Sequence, residues 1–142
     1  MAKSSTLRSE AVDPAQRRQA IVSILETKDP LFLEKFSSVL FSENAGGIQF
    51  DGVRYSQDFA PRVFGAAWMA AACEAAAGSC GQQDDFYVVD ACTLRNQCFS
   101  SREQLFREDV KSNFGDEALS LYMLAYPKLV QAIKQNDPTI FN

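Results

Sequence analysis

The sequence predicts an all-α domain, a compact bundle of about six helices with at most one tiny β-hairpin. Three observations predict this class. Apolar residues recur every three to four positions over most of the chain, which is the spacing of a helix face. Residues that begin helices (Asp or Ser) and end them (Gly) stand between these periodic segments. All four cysteines lie between positions 73 and 98, inside the helical region.

The first two helices are predicted from their start signals. Residues 1–12 are polar and rich in Ser, so we expect a disordered N-terminal segment followed by a single domain over 13–142. Asp13-Pro14 predicts the first start, since Asp caps helix N-termini and Pro is tolerated at the first helical position. Asp29-Pro30 repeats this signal, and the apolar spacing that follows predicts a second helix to Leu40.

A short alternating segment and a long helix are predicted next. Residues 48–55 alternate around Asp51-Gly52, which favours a type I′ turn and a miniature hairpin; an ordered loop is the alternative. Residues 59–77 form the strongest predicted helix, and Gly78 is placed to end it. Its many small residues predict one smooth side that a neighbouring helix, or a second copy of the chain in a homodimer, can approach closely. These residues are Gly65, Ala66, Ala67, Ala70, Ala71 and Ala72.

The last three helices are predicted from periodicity and capping. Residues 86–94 are expected to form a short helix with three side chains facing inward, namely Phe86, Val89 and Cys92. Ser100 and Glu103 predict a capping box for a helix that stops at Gly115. Asp116 is expected to cap the last helix, which Pro127 should kink or divide into two parts.

Composition excludes several classes of function. The net charge is −4 and the basic residues are scattered, so nucleic acid has no evident docking face. The longest apolar run, 63–73, is too short to span a bilayer. The chain has no His, which excludes Ser-His-Asp and Cys-His catalysis, and it contains no P-loop or H-E-x-x-H motif. We expect no metal and no cofactor.

Carboxylates are the remaining acid–base candidates. They are Asp84, Asp85, Asp90, Glu103, Glu108 and Asp109. A carboxylate-only hydrolase would need two of them about 5–10 Å apart in a cleft. For Asp84 or Asp85 the simpler interpretation is the N-cap of the helix that follows. The sequence therefore favours a protein that is not an enzyme.

The cysteines form a C-x6-C-x11-C-x5-C pattern, comprising Cys73, Cys80, Cys92 and Cys98. Two intrachain disulfides are the favoured interpretation. A structural zinc site lacks its usual C-x2-C pairs, and buried free thiols in a cytosolic protein are the other alternative. Four cysteines allow three connectivities. Nested pairing joins Cys73 to Cys98 and Cys80 to Cys92; staggered pairing, slightly favoured, joins Cys73 to Cys92 and Cys80 to Cys98.

The stretch FGAAWMAAACEAAAGSCGQQDDFYVVDACTLRNQC resembles a pattern in exported Gram-negative bacterial proteins that have no assigned chemistry. In that pattern an Ala/Trp-rich helix runs into C-x6-C-G and a second helix carries the last two cysteines. The match extends over 64–133. The resemblance implies a secreted or periplasmic helical domain with two disulfides, and it implies no activity. The N-terminus has no apolar leader segment, so oxidised cysteines would mean that a leader had been removed.

Most aromatic residues fall at core spacing, and three do not. Phe50, Tyr55 and Phe141 lie in loops or the tail, so we expect them to be exposed and to anchor a partner. The favoured function is a non-enzymatic, secreted or periplasmic protein-binding domain of the inhibitor, immunity or envelope-assembly type. The alternative is a carrier of a small apolar molecule, whose helices would enclose an apolar cavity with a buried void above about 300 Å³.

Overall fold

A computed structural model describes residues 13–41, 47–77 and 85–141. The expected disordered segment, 1–12, lies outside these residues. The helices are α1 (Pro14–Glu26), α2 (Pro30–Glu34), α3 (Ser37–Leu40), α4 (Ala60–Ala72), α5 (Phe86–Leu94), α6 (Arg102–Phe114) and α7 (Asp116–Gln135). A π-helical turn, Cys73–Ala77, extends α4, and a 3₁₀ turn, Thr139–Phe141, ends the described chain. The predicted all-α class is confirmed, with the second predicted helix present as α2 and α3.

Helices α4, α6 and α7 pack against one another and form the centre of the domain. Trp68 and Phe64 of α4 and Tyr122 of α7 are fully buried there. α2 and α3 pack on α4, and α1 packs on α7. Most of the smooth side predicted for α4 is buried in this packing, whereas Gly65 and Ala66 stay half-buried. The close approach is therefore made within the chain, as expected for small residues.

The predicted hairpin is present, with β1 (Ile48–Phe50) and β2 (Val53–Tyr55) antiparallel and Ile48 opposite Tyr55. Asp51 and Gly52 have φ values of 51° and 79°, as a type I′ turn requires. So short a hairpin is marginal alone. Here the Asp51 N–H donates to the Ile140 carbonyl at 2.6 Å, which joins the turn to the C-terminal segment.

Two predicted helix starts differ in detail from the structure. Asp29 accepts hydrogen bonds from the Leu31 and Phe32 N–H groups as predicted, whereas the side chain of Asp13 makes no capping bond. The capping box of α6 begins one residue later than expected. Ser101, not Ser100, accepts from the Gln104 N–H at 3.2 Å. This register places a buried Arg102 at the first helical position.

The boundary between α6 and α7 is a glycine. Gly115, with φ of 91°, ends α6 as predicted and also holds the position before α7, so Asp116 is the first helical residue and not the cap. α7 runs unbroken through Pro127, which is exposed, and a two-part helix is therefore wrong. Within the described ranges, no helix has the length and apolar character needed to cross a membrane.

Candidate functional site

Helix α5 carries its larger apolar side chains on the outside. Phe86 is 74% exposed, Leu94 78% and Val89 38%, whereas Val88 and Ala91 are fully buried. The inward orientation expected for Phe86 and Val89 is wrong. Both faces of this helix are apolar, so periodicity alone does not determine which one packs inward. The outward set, Phe86, Val89 and Leu94, is named the α5 face below.

A buried ion-pair network determines the rotation of α5. Asp85, just before the helix, is 4% exposed and accepts two hydrogen bonds from Arg102 of α6, from Nε at 2.8 Å and from Nη2 at 2.7 Å. Arg102 Nη1 donates to Glu34 of α2 and, at 3.1 Å, to the Met69 carbonyl of α4. One guanidinium therefore joins α2, α4, α5 and α6.

The environment of Arg102 keeps it charged. Burial opposes the charge, but the hydrogen bonds and attraction from Asp85 and Glu34 outweigh it and raise the pKa of Arg102. The guanidinium also lies 4.8 Å from the ring centroid of Tyr87, within cation–π range. A cation in the first turn of a helix opposes the helix dipole. That unfavourable position is the one sequence signal that points to Arg102.

A disulfide closes the other end of α5. Cys92 and Cys98 are bonded, with Cα atoms 4.2 Å apart. The nested and the staggered pairings are therefore both wrong. The physical reason is a tight return of the chain: Asn96 has a φ of 55°, and the Gln97 N–H donates to the Ala91 carbonyl at 3.0 Å. Cys98 is thus brought back to its own helix.

The remaining cysteines are consistent with an oxidised protein. Cys73 is disulfide-bonded, and among the cysteines in the described ranges none is a free thiol. Cys80 lies outside these ranges. For Cys73, Cys92 and Cys98 the interpretation as buried free thiols is therefore wrong. The Cys92–Cys98 bond closes a local loop at the end of α5, so it stabilises that end and does not join two helices.

Removing this disulfide is expected to lower the free energy of unfolding by about 2 kcal/mol, the entropy of closing a loop with a sequence separation of 6. The variant is Cys92→Ser/Cys98→Ser, measured by urea unfolding under non-reducing conditions. Peptide mass spectrometry of the unreduced wild type serves as the control. A peptide joining Cys73 to Cys92 or to Cys98 would contradict the structure.

An apolar groove of about 360 Å³ lies between α4 and α6 and is open to solvent. Its α4 wall consists of Arg62, Gly65, Ala66 and Met69, and its α6 wall consists of Phe106, Asp109, Val110, Asn113 and Phe114. This set is named the α4/α6 groove. Its lining is mainly apolar with a few polar groups, which is the usual composition of a ligand-binding cleft.

The two charged residues of the groove differ in their partners. Asp109 forms an ion pair with Arg95 at 3.7 Å. The Arg62 guanidinium lies 5.9 Å from the ring centroid of Phe114, and within the described ranges no carboxylate approaches it to ion-pair distance. The groove therefore has one uncompensated positive charge.

Aromatic rings connect the groove to the α5 face. Phe106 in the groove contacts Tyr87 edge to face, with ring centroids 5.6 Å apart. Tyr87 in turn contacts Phe86 at 6.0 Å. Tyr87 thus links the groove to the α5 face through ring contacts.

Three of the six candidate acids serve as ion-pair partners. Asp85 binds Arg102, Asp109 pairs with Arg95, and Glu103 pairs with Arg107 at 3.3 Å.

Glu103 also lies close to two tyrosines of α7. Burial and the nearby Glu103 charge raise the pKa of Tyr122, and burial with the charges of Glu74 and Glu103 raises that of Tyr126 to about 12. Both phenols are therefore protonated near neutral pH, with Tyr122 donating to Glu103.

The other candidate acids give no further support to hydrolase chemistry. Asp84 lies outside the described residues. Asp85 stands at the N-cap position of α5, but its side chain binds Arg102 and makes no capping hydrogen bond. Asp90 and Glu108 lie on the surface of their helices, half-buried and exposed respectively. In the part of the chain that the structure describes, no group of three or more metal-ligating side chains is found.

The three aromatic residues expected to anchor a partner belong neither to the α5 face nor to the α4/α6 groove. Phe50 is 0% exposed and Phe141 3%, so their expected exposure is wrong. Tyr55 is half-buried with its ring centroid 5.3 Å from that of Phe64. The hairpin and the C-terminal turn cover α4, and this long-range packing buries residues whose local sequence is that of a loop.

The side chains that distinguish the α5 face, the groove and the ion-pair network were expected to pack inward or were not singled out from the sequence. They are Phe86, Val89, Leu94, Arg62 and Arg102. Comparison with known proteins adds no precedent for this surface, because no family model, no curated protein and no solved structure matches the chain.

Proposed function

We propose that this chain is a non-enzymatic protein-binding domain of the periplasm or extracellular space, which recognises its partner through the α5 face. The observation that carries the proposal is the exposure of Phe86 and Leu94, at 74% and 78%, on a helix whose orientation is determined. Contiguous exposed apolar residues on a soluble domain mark interaction surfaces.

The α5 face is held rigidly before a partner arrives. Asp85 and Arg102 anchor the start of α5, Val88 and Ala91 are buried beneath it, and the disulfide closes its end. Preorganisation of this kind reduces the entropy lost on binding. A disulfide-closed helix is suited to an oxidising compartment, which agrees with the resemblance to exported bacterial proteins.

The spacing of the anchors suggests the complementary surface. Phe86, Val89 and Leu94 lie along one side of a helix, which is the arrangement that helix-in-groove recognition uses. Phe86 is aromatic, as the residues that dominate binding energy often are. The proposed partner is therefore a protein with an apolar groove that receives α5.

The test compares Phe86→Ala/Leu94→Ala with a control, Met123→Ala/Leu124→Ala, whose side chains are also exposed but on α7. Oxidised baits capture proteins from an envelope extract of the source organism, and binding of any captured protein is then measured with purified components. We expect the α5 variant to weaken binding by at least tenfold, about 1.4 kcal/mol, and the control to bind like wild type.

Equal binding by wild type and both variants would exclude the α5 face as the contact. Sedimentation of the purified chain provides a second outcome. If wild type forms a dimer that Phe86→Ala/Leu94→Ala abolishes, the α5 face binds a second copy, and the proposal of a different partner protein is overturned.

A second candidate function, carriage of a small apolar molecule, is favoured by the α4/α6 groove. Its volume of about 360 Å³ exceeds the roughly 300 Å³ at which ligand clefts begin. The groove is open to solvent and is not the buried void expected from the sequence, but it is concave, so a small molecule lying in it contacts side chains of both helices.

A further inference from the structure

We infer that the α4/α6 groove binds a free straight-chain carboxylate, whose apolar chain lies on Gly65 and whose anionic end pairs with Arg62. This inference rests on the second candidate function and specifies the chemistry of the ligand. It is independent of the α5 face.

The groove has free space at Gly65 for the apolar chain of the ligand. Among the described residues, a Cβ added at Gly65 would meet no atom within 4 Å, so none of them fills the space above this residue. Glycine inside a helix is less stable than alanine, and no close packing within the chain accounts for it here. The small side chain of Ala66 leaves space on the same wall of the groove, the α4 wall. Met69 and Phe106 provide apolar contact beside it.

The anionic end is assigned by charge complementarity. Arg62 lines the groove, and its guanidinium lies over the apolar ring of Phe114. The only other charged residue of the lining, Asp109, is paired with Arg95. A carboxylate can accept two parallel hydrogen bonds from a guanidinium, and such charge-assisted bonds are stronger than neutral ones. A cationic or purely neutral amphiphile lacks this contact.

Isothermal titration of the oxidised full chain tests the inference with three ligands of equal chain length, namely decanoate, decan-1-ol and decyltrimethylammonium, each below its micelle concentration. We expect decanoate to bind about tenfold more tightly than decan-1-ol, and the cation to bind most weakly. Arg62→Gln should remove the preference for decanoate, so that decanoate and decan-1-ol bind this variant with similar affinity. Arg18→Gln, an exposed arginine of α1, is the matched control.

Gly65→Leu should abolish binding of decanoate and of decan-1-ol by filling the groove, while circular dichroism confirms that the variant is folded. If decanoate and decan-1-ol bind wild type equally, or if Arg62→Gln keeps the preference, the carrier function stands and the assignment of an anion is overturned. If none of the three ligands binds, the carrier function itself fails and the inference fails with it.

Discussion

Replacing Arg102 by alanine is expected to lower the free energy of unfolding by about 3–5 kcal/mol, because it leaves buried carboxylates without their cation. Asp85 is 4% exposed and has both oxygens bonded to Arg102. Glu34 and the Met69 carbonyl lose the same partner. Urea unfolding followed by far-UV circular dichroism measures the change.

Arg107→Ala is the matched control, since Arg107 lies on the same helix and pairs with Glu103 but is partly exposed. Surface pairs of this kind contribute about 0–1 kcal/mol. A second variant, Arg102→Met/Asp85→Leu/Glu34→Gln, removes the charges together and should be more stable than Arg102→Ala. A loss for Arg102→Ala no larger than that for Arg107→Ala would show that the network is not a buried ion-pair cluster.

The same substitution should also affect binding. Because Arg102 determines which side of α5 faces outward, its loss releases the constraint that presents Phe86 to a partner. Under the proposed function, Arg102→Ala that remains folded should weaken partner binding, although Arg102 itself is buried and makes no contact with the partner.

Replacing Trp68 by alanine is expected to destabilise the domain by about 3–5 kcal/mol, the usual effect of removing a large buried aromatic side chain. Trp68 is fully buried between α4 and its neighbours, and its Nε1–H donates to the Leu33 carbonyl at 2.7 Å. The substitution thus opens a cavity and leaves a buried acceptor without its donor. Since Trp68 is the only tryptophan, unfolding must be followed by circular dichroism and not by indole fluorescence.

Trp68→Phe separates the effect of the cavity from the effect of the lost hydrogen bond to the Leu33 carbonyl. It keeps most of the apolar volume but removes the N–H donor, so the expected loss is nearer 1–3 kcal/mol. Met123→Ala, at a position 50% exposed, is the control and should change stability by less than about 0.5 kcal/mol. A loss for Trp68→Ala similar to that of this control would mean that Trp68 is not part of the core.

Several features that depend on neighbouring residues were predictable from the sequence. Asp29 caps its helix, Asp51-Gly52 forms the hairpin turn, and Gly115 ends α6, because each depends on interactions only a few residues apart. The all-α class follows in the same way from the helical spacing of apolar residues. The absence of His likewise excludes whole classes of catalysis without any structure.

Features that depend on distant residues required the tertiary structure. Phe50 and Phe141 have the local sequence of surface segments, yet packing against α4 buries them. One local feature was missed as well: Cys92 bonds to Cys98 because the chain reverses at Asn96, which the cysteine spacing alone does not determine.

Helix α5 shows most clearly which features the sequence determines and which only the tertiary structure determines. Its sequence determines that it is a helix with apolar residues on both sides, and of the two rotations about its axis hydrophobic burial alone favours the one that buries the larger side chains, Phe86 and Leu94. The ion pair between Asp85 and Arg102 decides between them, since a buried carboxylate must reach its cation. That pairing, between residues 17 positions apart, turns Phe86 and Leu94 outward and so creates the candidate binding surface.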